Sequence, residues 1–499
     1  MFVVLGGMGA AGAAPIEQVS YAVSFDYHAL LTPYPIVYLS INNHMPLPFL
    51  LDTGTDFPLC ITFDAAQKLH LNVTYKRSAL DVNSNSVDPV IRVADVAFVL
   101  ASSRKNSRNR FHIPRTNKDA IIIDWPVLQQ IVDWPVRQQG VHGKPLAGII
   151  GAGMFSASTI RLDFDAKRLT LFSQPPILVT TSTQIRVPMK KRGNHYFVTL
   201  SDGQRHTVEA LLDTGCGTSE LSATAAANLS VLKTFLQEGR EDVGGTYRVH
   251  IAVLPLLQLG ALTIRDIDIV YSDKRKSDVE SILGMNVLAR YRLTIDFARK
   301  QLFLEPALHA AARSRLRGFP VVACSLHGQQ VMVDKVQPTS AAARAGLHIG
   351  DRLLEVDHIP LQGLPNGSIK SVLDGYGDTQ AELLIKRAGQ KHSLVYHRYS
   401  LAVAAVVVDF GAKLQLTSDS HLLVETVRPG SPAQEASLKQ GDEILVVDTL
   451  PVASSDYERM LSAFSNPPVN PLPLTIQRKG EAQPRQILLN REPTMKAHQ

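Results

Sequence analysis

The stretch FLLDTGTDF occupies residues 49 to 57, and ALLDTGCGT occupies residues 210 to 218. Each is an apolar run that ends in Asp-Thr-Gly. A single copy reads as a tight turn after a strand, with Asp capping the turn, Thr favouring extended backbone and Gly accepting positive φ. Two copies ask for more, because the likeness extends well beyond the triplet. Upstream, IVYLSINNHMPLPFLLDTG (36 to 54) parallels YFVTLSDGQRHTVEALLDTG (196 to 215): an alternating strand, a polar turn, then an apolar strand that delivers the aspartate. Downstream, GIIGAGMFSASTIRLDFDAKRLTLF (148 to 172) lies over SILGMNVLARYRLTIDFARKQLFLE (281 to 305) without a gap. Gly151 falls on Gly284, Asp163 on Asp296, Phe164 on Phe297 and Lys167 on Lys300.

The halves differ in the middle. Asp52 precedes Gly151 by 99 residues, whereas Asp213 precedes Gly284 by 71. The surplus holds a basic run, ASSRKNSRNRFHIPRTNK (101 to 118), and a tandem copy, DWPVLQQIV then DWPVRQQGV (124 to 141), with both tryptophans of the chain. A basic polar run reads first as a solvated loop, and otherwise as a substrate-steering lip or self-cleavage site. Asp163 and Asp296 precede Lys-containing turns and read as hairpin caps.

A second repeat begins near 316. VMVDKVQPTSAAARAGLHIGDRLLEVD (331 to 357) aligns with LLVETVRPGSPAQEASLKQGDEILVVD (422 to 448), pairing Pro338 with Pro429, Leu347 with Leu438 and Asp351 with Asp442. Each copy gives a strand, a Pro-x-Ser-x-Ala turn into a short helix, a Gly-Asp turn and another strand. EPALHAAARSRLRG (305 to 318) reads as the linker from the front half.

Composition bounds these readings. The chain has 499 residues, 45% hydrophobic and 19% charged, which is globular material for about three or four domains. No stretch reaches the length of uncharged apolar sequence that a membrane span needs. MFVVLGGMGAAGAA (1 to 14) has the apolar centre and small-residue end of a secretory signal without its basic start, which predicts secreted or periplasmic placement; the alternative is an apolar tail. Cys60, Cys216 and Cys324 lack CxxC spacing, and the 16 histidines form no HExxH cluster, so no disulfide framework, metal site or cofactor is expected. A net charge of +6 permits an acidic partner, but aromatics are only 6% and no nucleic-acid motif accompanies it.

If the two equivalent halves face each other across a pseudo-twofold axis, Asp52 and Asp213 meet. At about 3 Å and an effective dielectric near 20, two carboxylates repel by roughly 5 kcal/mol. Such a pair keeps one proton over an acid to near-neutral range. One member can act as base on a bridging water while the other polarises a peptide carbonyl, and the pair titrates as a unit.

The paired FLLDTGT and ALLDTGC phrases, each followed by Gly-Ile-Ile-Gly or Ser-Ile-Leu-Gly, resemble the aspartic proteases of the pepsin and retropepsin clan over roughly residues 30 to 305. The resemblance implies two β-rich lobes, a cleft, and a water-mediated endopeptidase with Asp52 and Asp213 as the catalytic pair. It further implies that Thr53 and Thr214 brace the two loops and that Gly54 and Gly215 allow backbone approach to the acids. Thr55 follows the first triplet with a hydroxyl donor; Cys216 follows the second and donates weakly, which predicts a working pH less acidic than that of stomach pepsin. The flap that closes such a cleft is expected in EDVGGTYRV (241 to 249), through Gly244 and Gly245, with an ordinary hairpin turn as the alternative. Its first-half counterpart, 81 to 93, has no glycine.

The rear repeats resemble PDZ domains, which bind extended peptide ends by strand addition, with backbone amides on the terminal carboxylate. The first copy places Leu316-Arg317-Gly318-Phe319 at the carboxylate loop, so Arg317, Gly318 and Phe319 are its binding candidates. The second places Asp409-Phe410-Gly411-Ala412 there; Asp409 would repel a carboxylate, which leaves packing on the first copy as the alternative role.

The expected architecture is mainly β: a tail at 1–20, a first acid-protease lobe at 21–178 with an insert at 101–141, a second lobe at 185–305, and PDZ copies at 316–400 and 403–491. Each lobe is expected to hold six to seven strands. The expected function is aspartic endopeptidase on polypeptide substrates, with the PDZ copies recruiting substrate or regulating the cleft. The alternative is an inactive peptide-binding scaffold. One chain supplies both aspartates, so a monomer is expected.

Overall fold

The computed structural model describes residues 20–490 except 56, 78–86, 93–95, 99–110, 113–118, 124–145, 173–183, 243–244, 273–280, 365, 403–409, 417–420, 456 and 466–470. The apolar start, the tandem copy at 124–141 and most of the basic run thus lie outside the described residues.

At the centre is a six-stranded sheet to which each half gives three strands, in the order Ser20–Ser24, Arg168–Phe172, Thr159–Asp163, Tyr291–Asp296, Gln301–Pro306, Ile185–Pro188. The middle two are the strands that the front repeat superposes. They run antiparallel, Ile160 opposite Ile295 and Arg161 opposite Thr294, which is the pairing a twofold axis between equivalent strands produces. Ile160, Leu162, Leu293 and Ile295 alternate onto one fully buried face. The hairpins that close this sheet are capped as read from the sequence. Asp163 accepts from the N–H groups of Asp165 and Ala166 at 3.1 and 2.9 Å, and Asp296 from Arg299 at 2.9 Å. Lys167 and Lys300 take positive φ at the matching turn positions.

Among the described residues each half adds a sheet of its own, ten-stranded in the first and eight-stranded in the second. Both exceed the six to seven strands expected. The expectation also missed that the halves share their closing hairpins in one sheet. The two sheets repeat one inner order: Leu59–Thr62, Gly148–Gly151, Leu47–Asp52, Thr32–Ile41 in the first, and Glu220–Ser222, Ser281–Leu283, Thr207–Leu212, His195–Ser201 in the second. Helices Phe63–Lys68 and Ala223–Asn228 follow, capped by Thr62 and Ser222, whose hydroxyls accept from Ala65 and Ala225. One hydrophobic core runs through both halves. In it Phe155 of the first half stacks on Phe297 of the second at 5.9 Å, and Tyr196 meets Phe297 edge-on at 4.9 Å.

Two further sheets follow with one topology. The first runs Val322–His327, Gln330–Val336, Arg352–Val356, Thr379–Arg387, Gln390–Arg398; the second runs Ala412–Leu416, Leu422–Val427, Glu443–Val447, Leu472–Gln477, Arg485–Leu489. Ser340 and Ser431 cap the short helices Ala341–Arg344 and Pro432–Glu435. The Gly-Asp turns have a partner that the sequence reading did not single out. Asp351 pairs with Arg387 through Nε at 2.6 Å and Nη2 at 2.5 Å, and Asp442 pairs with Arg478 through the same atoms at 2.7 Å each. Burial raises both carboxyls, but the arginine forks outweigh it and hold them below the ordinary range.

The units are packed together. The segment expected as a linker forms the helix Ala310–Arg313, and Arg313 ion-pairs with Asp165 at 2.9 Å and donates to the Ala289 carbonyl at 2.9 Å. The second rear unit docks on the first: Tyr457 N–H donates to the Thr339 carbonyl at 3.1 Å. Beside it the Glu458 carboxylate accepts from Ala341 N–H at 3.1 and 3.0 Å. Among the described residues no helix is long and apolar enough to cross a membrane.

Candidate active site

Both Asp-Thr-Gly loops sit where a strand of each lobe ends, and each is tied to the other by the same four bonds. Thr53 Oγ1 donates to the Leu212 carbonyl and Thr214 Oγ1 to the Leu51 carbonyl, each at 2.6 Å. Each hydroxyl also accepts the other threonine's N–H at 3.1 Å. Both threonines are fully buried. Each aspartate is oriented by its own glycine: Gly54 N–H donates to Asp52 Oδ1 at 2.8 Å, and Gly215 N–H to Asp213 Oδ1 at 2.7 Å.

The glycines also set the approach. A Cβ on Gly54 would lie 2.3 Å from Asp213 Cγ, and one on Gly215 would lie 2.4 Å from Asp52 Cγ. Only a residue without a side chain lets each loop pass beneath the opposite acid. Asp52 and Asp213 are thereby brought together and hydrogen-bond to one another. Burial pushes both carboxyls above the ordinary range. Asp213 rises further and stands well above it, because the Asp52 charge lies beside it, Asp52 shares a hydrogen bond with it, and Glu220 adds a negative charge. Asp52 is drawn partly back by the Asp213 hydrogen bond and by the N–H groups of Gly54 and Thr55. The arrangement can hold one proton between two acids.

The residues after the triplets differ in what they reach. Thr55 reaches Asp52 through its backbone N–H. Cys216 Sγ is turned toward the Thr218 carbonyl at 3.0 Å.

The segment expected to hold the flap lies on the hairpin Leu232–Asp242 with Gly245–Leu259; Gly245 opens the second strand opposite Asp242, and Gly244 lies outside the described residues. The glycine-free first-half segment also belongs to a hairpin, Val73–Arg77 with Val87–Arg92. Residues 78–86 at its tip lie outside the described residues.

Beside each aspartate, on the same face of its sheet, runs a row that the sequence reading missed. In the first lobe Leu50, Ile149 and Cys60 stand in register, and in the second Leu211, Ile282 and Glu220. The two rows match except at the last position. Glu220 lies seven residues after Asp213 and Cys60 eight after Asp52, so aligning the triplets alone does not pair them; the strand and helix that follow do.

Residues 202–290, which include the second triplet and the Gly284 segment, match the family model described as "gag-polyprotein putative aspartyl protease". Residues 332–387 match the PDZ domain model. The chain joins an aspartyl-protease-like domain to a PDZ domain. The PDZ domain-containing protein 7 of Pongo abelii is 37% identical, and that of Homo sapiens 36%, over 73 residues, which is 15% of this chain and 7% of each relative. The crystal structure of the aspartic proteinase from Irpex lacteus is similar at 13% identity and a TM-score of 0.34, over 59% of this chain and all of that one.

The expected carboxylate loop of the first PDZ unit needs correction. Gly318 N–H is donated to the Gly375 carbonyl at 3.1 Å and Phe319 N–H to the Tyr399 carbonyl at 2.7 Å, so both amides are engaged within the chain. Gly318 is wedged: a Cβ there would lie 2.1 Å from the Asp374 carbonyl oxygen. Arg317 and Gly318 form bridges to Tyr376 and Ser400, and Phe319 is buried, its ring 6.2 Å from that of Tyr457 in the second unit. Register explains the error. Val322 pairs with Val336 and Ala412 with Val427, and Val336 is the repeat partner of Val427, so Val321 stands where Gly411 does. The sequence reading set Gly318 against Gly411, three residues short of that register. Asp409 lies outside the described residues.

Proposed function

We propose that the front half is an aspartic endopeptidase in which a water held between Asp52 and Asp213 attacks a peptide carbonyl. The observation that carries this is the hydrogen-bonded acid pair, buried and oriented by mirrored glycine N–H groups. In the reaction the ionised member takes a proton from water, and the protonated member donates to the carbonyl oxygen. Protonation of the leaving nitrogen then releases both fragments. Since burial raises both carboxyls, the acid limb of activity lies above the ordinary carboxylate range.

The PDZ pair, in the same reading, regulates the cleft rather than capturing carboxylates through residues 317–319. Support comes from the packing of Leu316 and Leu401 against Val249, Ile251 and Val253 of the flap-bearing hairpin, with Val270 of the next strand in the same cluster. The proposal includes polypeptide substrates, a monomeric chain that supplies both aspartates itself, and export to a secreted or periplasmic location, for which the apolar start with its Ala11-Gly12-Ala13 triplet is the support.

A peptide bearing a secondary hydroxyl in place of the scissile carbonyl tests the reading, because such a group mimics the tetrahedral state between the acids. Calorimetry should show one molecule bound per chain, with binding lost in Asp52→Asn and Asp213→Asn. Equal binding by the native chain and both variants would contradict it.

A further inference from the structure

The two lobes repeat each other around the acid pair, yet the pair is electrostatically lopsided, and one position accounts for the difference. In the first lobe the row beside the aspartate ends in Cys60, which is 1% exposed; burial, with the Asp52 charge adding to it, pushes the thiol up to about 12, so it stays neutral. In the second lobe the matching position is Glu220, 7% exposed, at the end of a row whose other members are apolar. Glu220 pairs with Ile282, and Ile282 pairs with Leu211, two residues before Asp213. In-register neighbours share a face and strand residues alternate, so Glu220 and Asp213 are on one face of the sheet. Phe197, Leu211 and Ile282 pack as an apolar cluster on that face, with Cys216 against it.

We propose that Glu220 is a positioning residue for the acid pair: its carboxylate fixes the shared proton on Asp213 and leaves Asp52 as the ionised base. The assignment rests on the aspartic-protease reading. A charge placed to one side of two coupled acids breaks their equivalence, because the nearer acid meets the greater cost of ionising. The charge of Glu220 acts on Asp213, while the side chain opposite it, beside Asp52, is an uncharged thiol. Other groups surround this face. Asp268 lies two residues from Val270, the strand partner of Glu220, and so on the same face; Tyr271 and His250, stacked at 5.0 Å, lie one position along and so on the opposite face. Arg317 adjoins Leu316, which covers the same face from the PDZ side.

The test is the pH dependence of kcat/KM on a peptide substrate, with the full chain and its Glu220→Gln and Glu220→Asp variants, alongside thermal melts. Glu220→Gln should keep the fold while its alkaline limb moves down by about one pH unit, since Asp213 then gives up its proton more easily. Glu220→Asp withdraws the charge by one methylene and should shift the limb the same way by less. This variant decides the matter if the glutamine variant does not fold. Profiles superimposable on the native one would overturn the role of Glu220 while leaving the protease reading in place. A native chain that cuts nothing at any pH would overturn both.

Discussion

Thr53 and Thr214 exchange hydrogen bonds across the pseudo-twofold axis, each hydroxyl accepting the other's N–H at 3.1 Å and donating to the opposite strand's carbonyl at 2.6 Å. Neither residue touches substrate in the proposed mechanism, yet they fix how far apart the two acids can stand. Thr53→Val keeps the shape but strips two bonds and leaves the buried Thr214 N–H without its acceptor, so it should cost about 3 kcal/mol in urea unfolding. The Thr53→Val, Thr214→Val pair should cost clearly less than the sum of the singles, because both probe one network. Additive losses would show the loops to be independent.

Gly54→Ala and Gly215→Ala should act as mirror images. Each introduces a Cβ 2.3 or 2.4 Å from the opposite carboxyl carbon, about 1 Å inside normal contact, and that carboxyl can swing away, so the fold should survive while the acids separate. Cleavage should fall by about 100-fold or more in both, with melting temperatures little changed. Unchanged cleavage in either variant would show that the pair tolerates a different spacing.

Removing a buried acid should stabilise the protein at neutral pH. The Asp213 carboxyl is raised in the fold above its unfolded value near 3.8. Its contribution is therefore fully present below that value and lost as pH rises through the folded one. Asp213→Asn cannot ionise and escapes that loss. Thermal melts should show Asp213→Asn more stable than the native chain at pH 7.5, with the gap closing by pH 3.5; a gap that widens toward acid would reverse the assigned sign.

Leu401 is fully buried and packs with Leu316 against Val249, Ile251 and Val253 of the hairpin Leu232–Asp242 with Gly245–Leu259. Leu401→Ala should cost about 2 to 5 kcal/mol and raise amide exchange along Val249–Val253 before it affects the central sheet. If exchange rises only within residues 316–402, the PDZ unit does not brace the hairpin.

Much of the architecture was legible because repetition is a strong signal. Gapless alignment of 148–172 with 281–305 implies equivalent hairpins, and a shared sheet is the structure those hairpins build. The sequence could not say that they would pair with each other, because strand partners are chosen by tertiary packing. Asp52, Asp213 and their threonines and glycines were legible because a short turn fixes their relation to the chain. Glu220 was not, since the loops after the two triplets differ by one residue and only the strand register aligns Glu220 with Cys60. The PDZ carboxylate loop failed for a related reason: without the strand register, the reading set Gly411 against Gly318, three residues before Val321. Arg387 and Arg478 were missed because each lies 36 residues from the aspartate it pairs with.

The central claim is that one acid pair, half from each lobe, hydrolyses peptide bonds. It is tested most directly by digesting an unfolded protein substrate from pH 3 to 8 with the native chain, Asp52→Asn and Asp213→Asn. The account predicts cleavage by the native chain, an acid limb above the ordinary carboxylate range, and no cleavage by either variant. A native chain that never cuts, or a variant that cuts at the native rate, would contradict it.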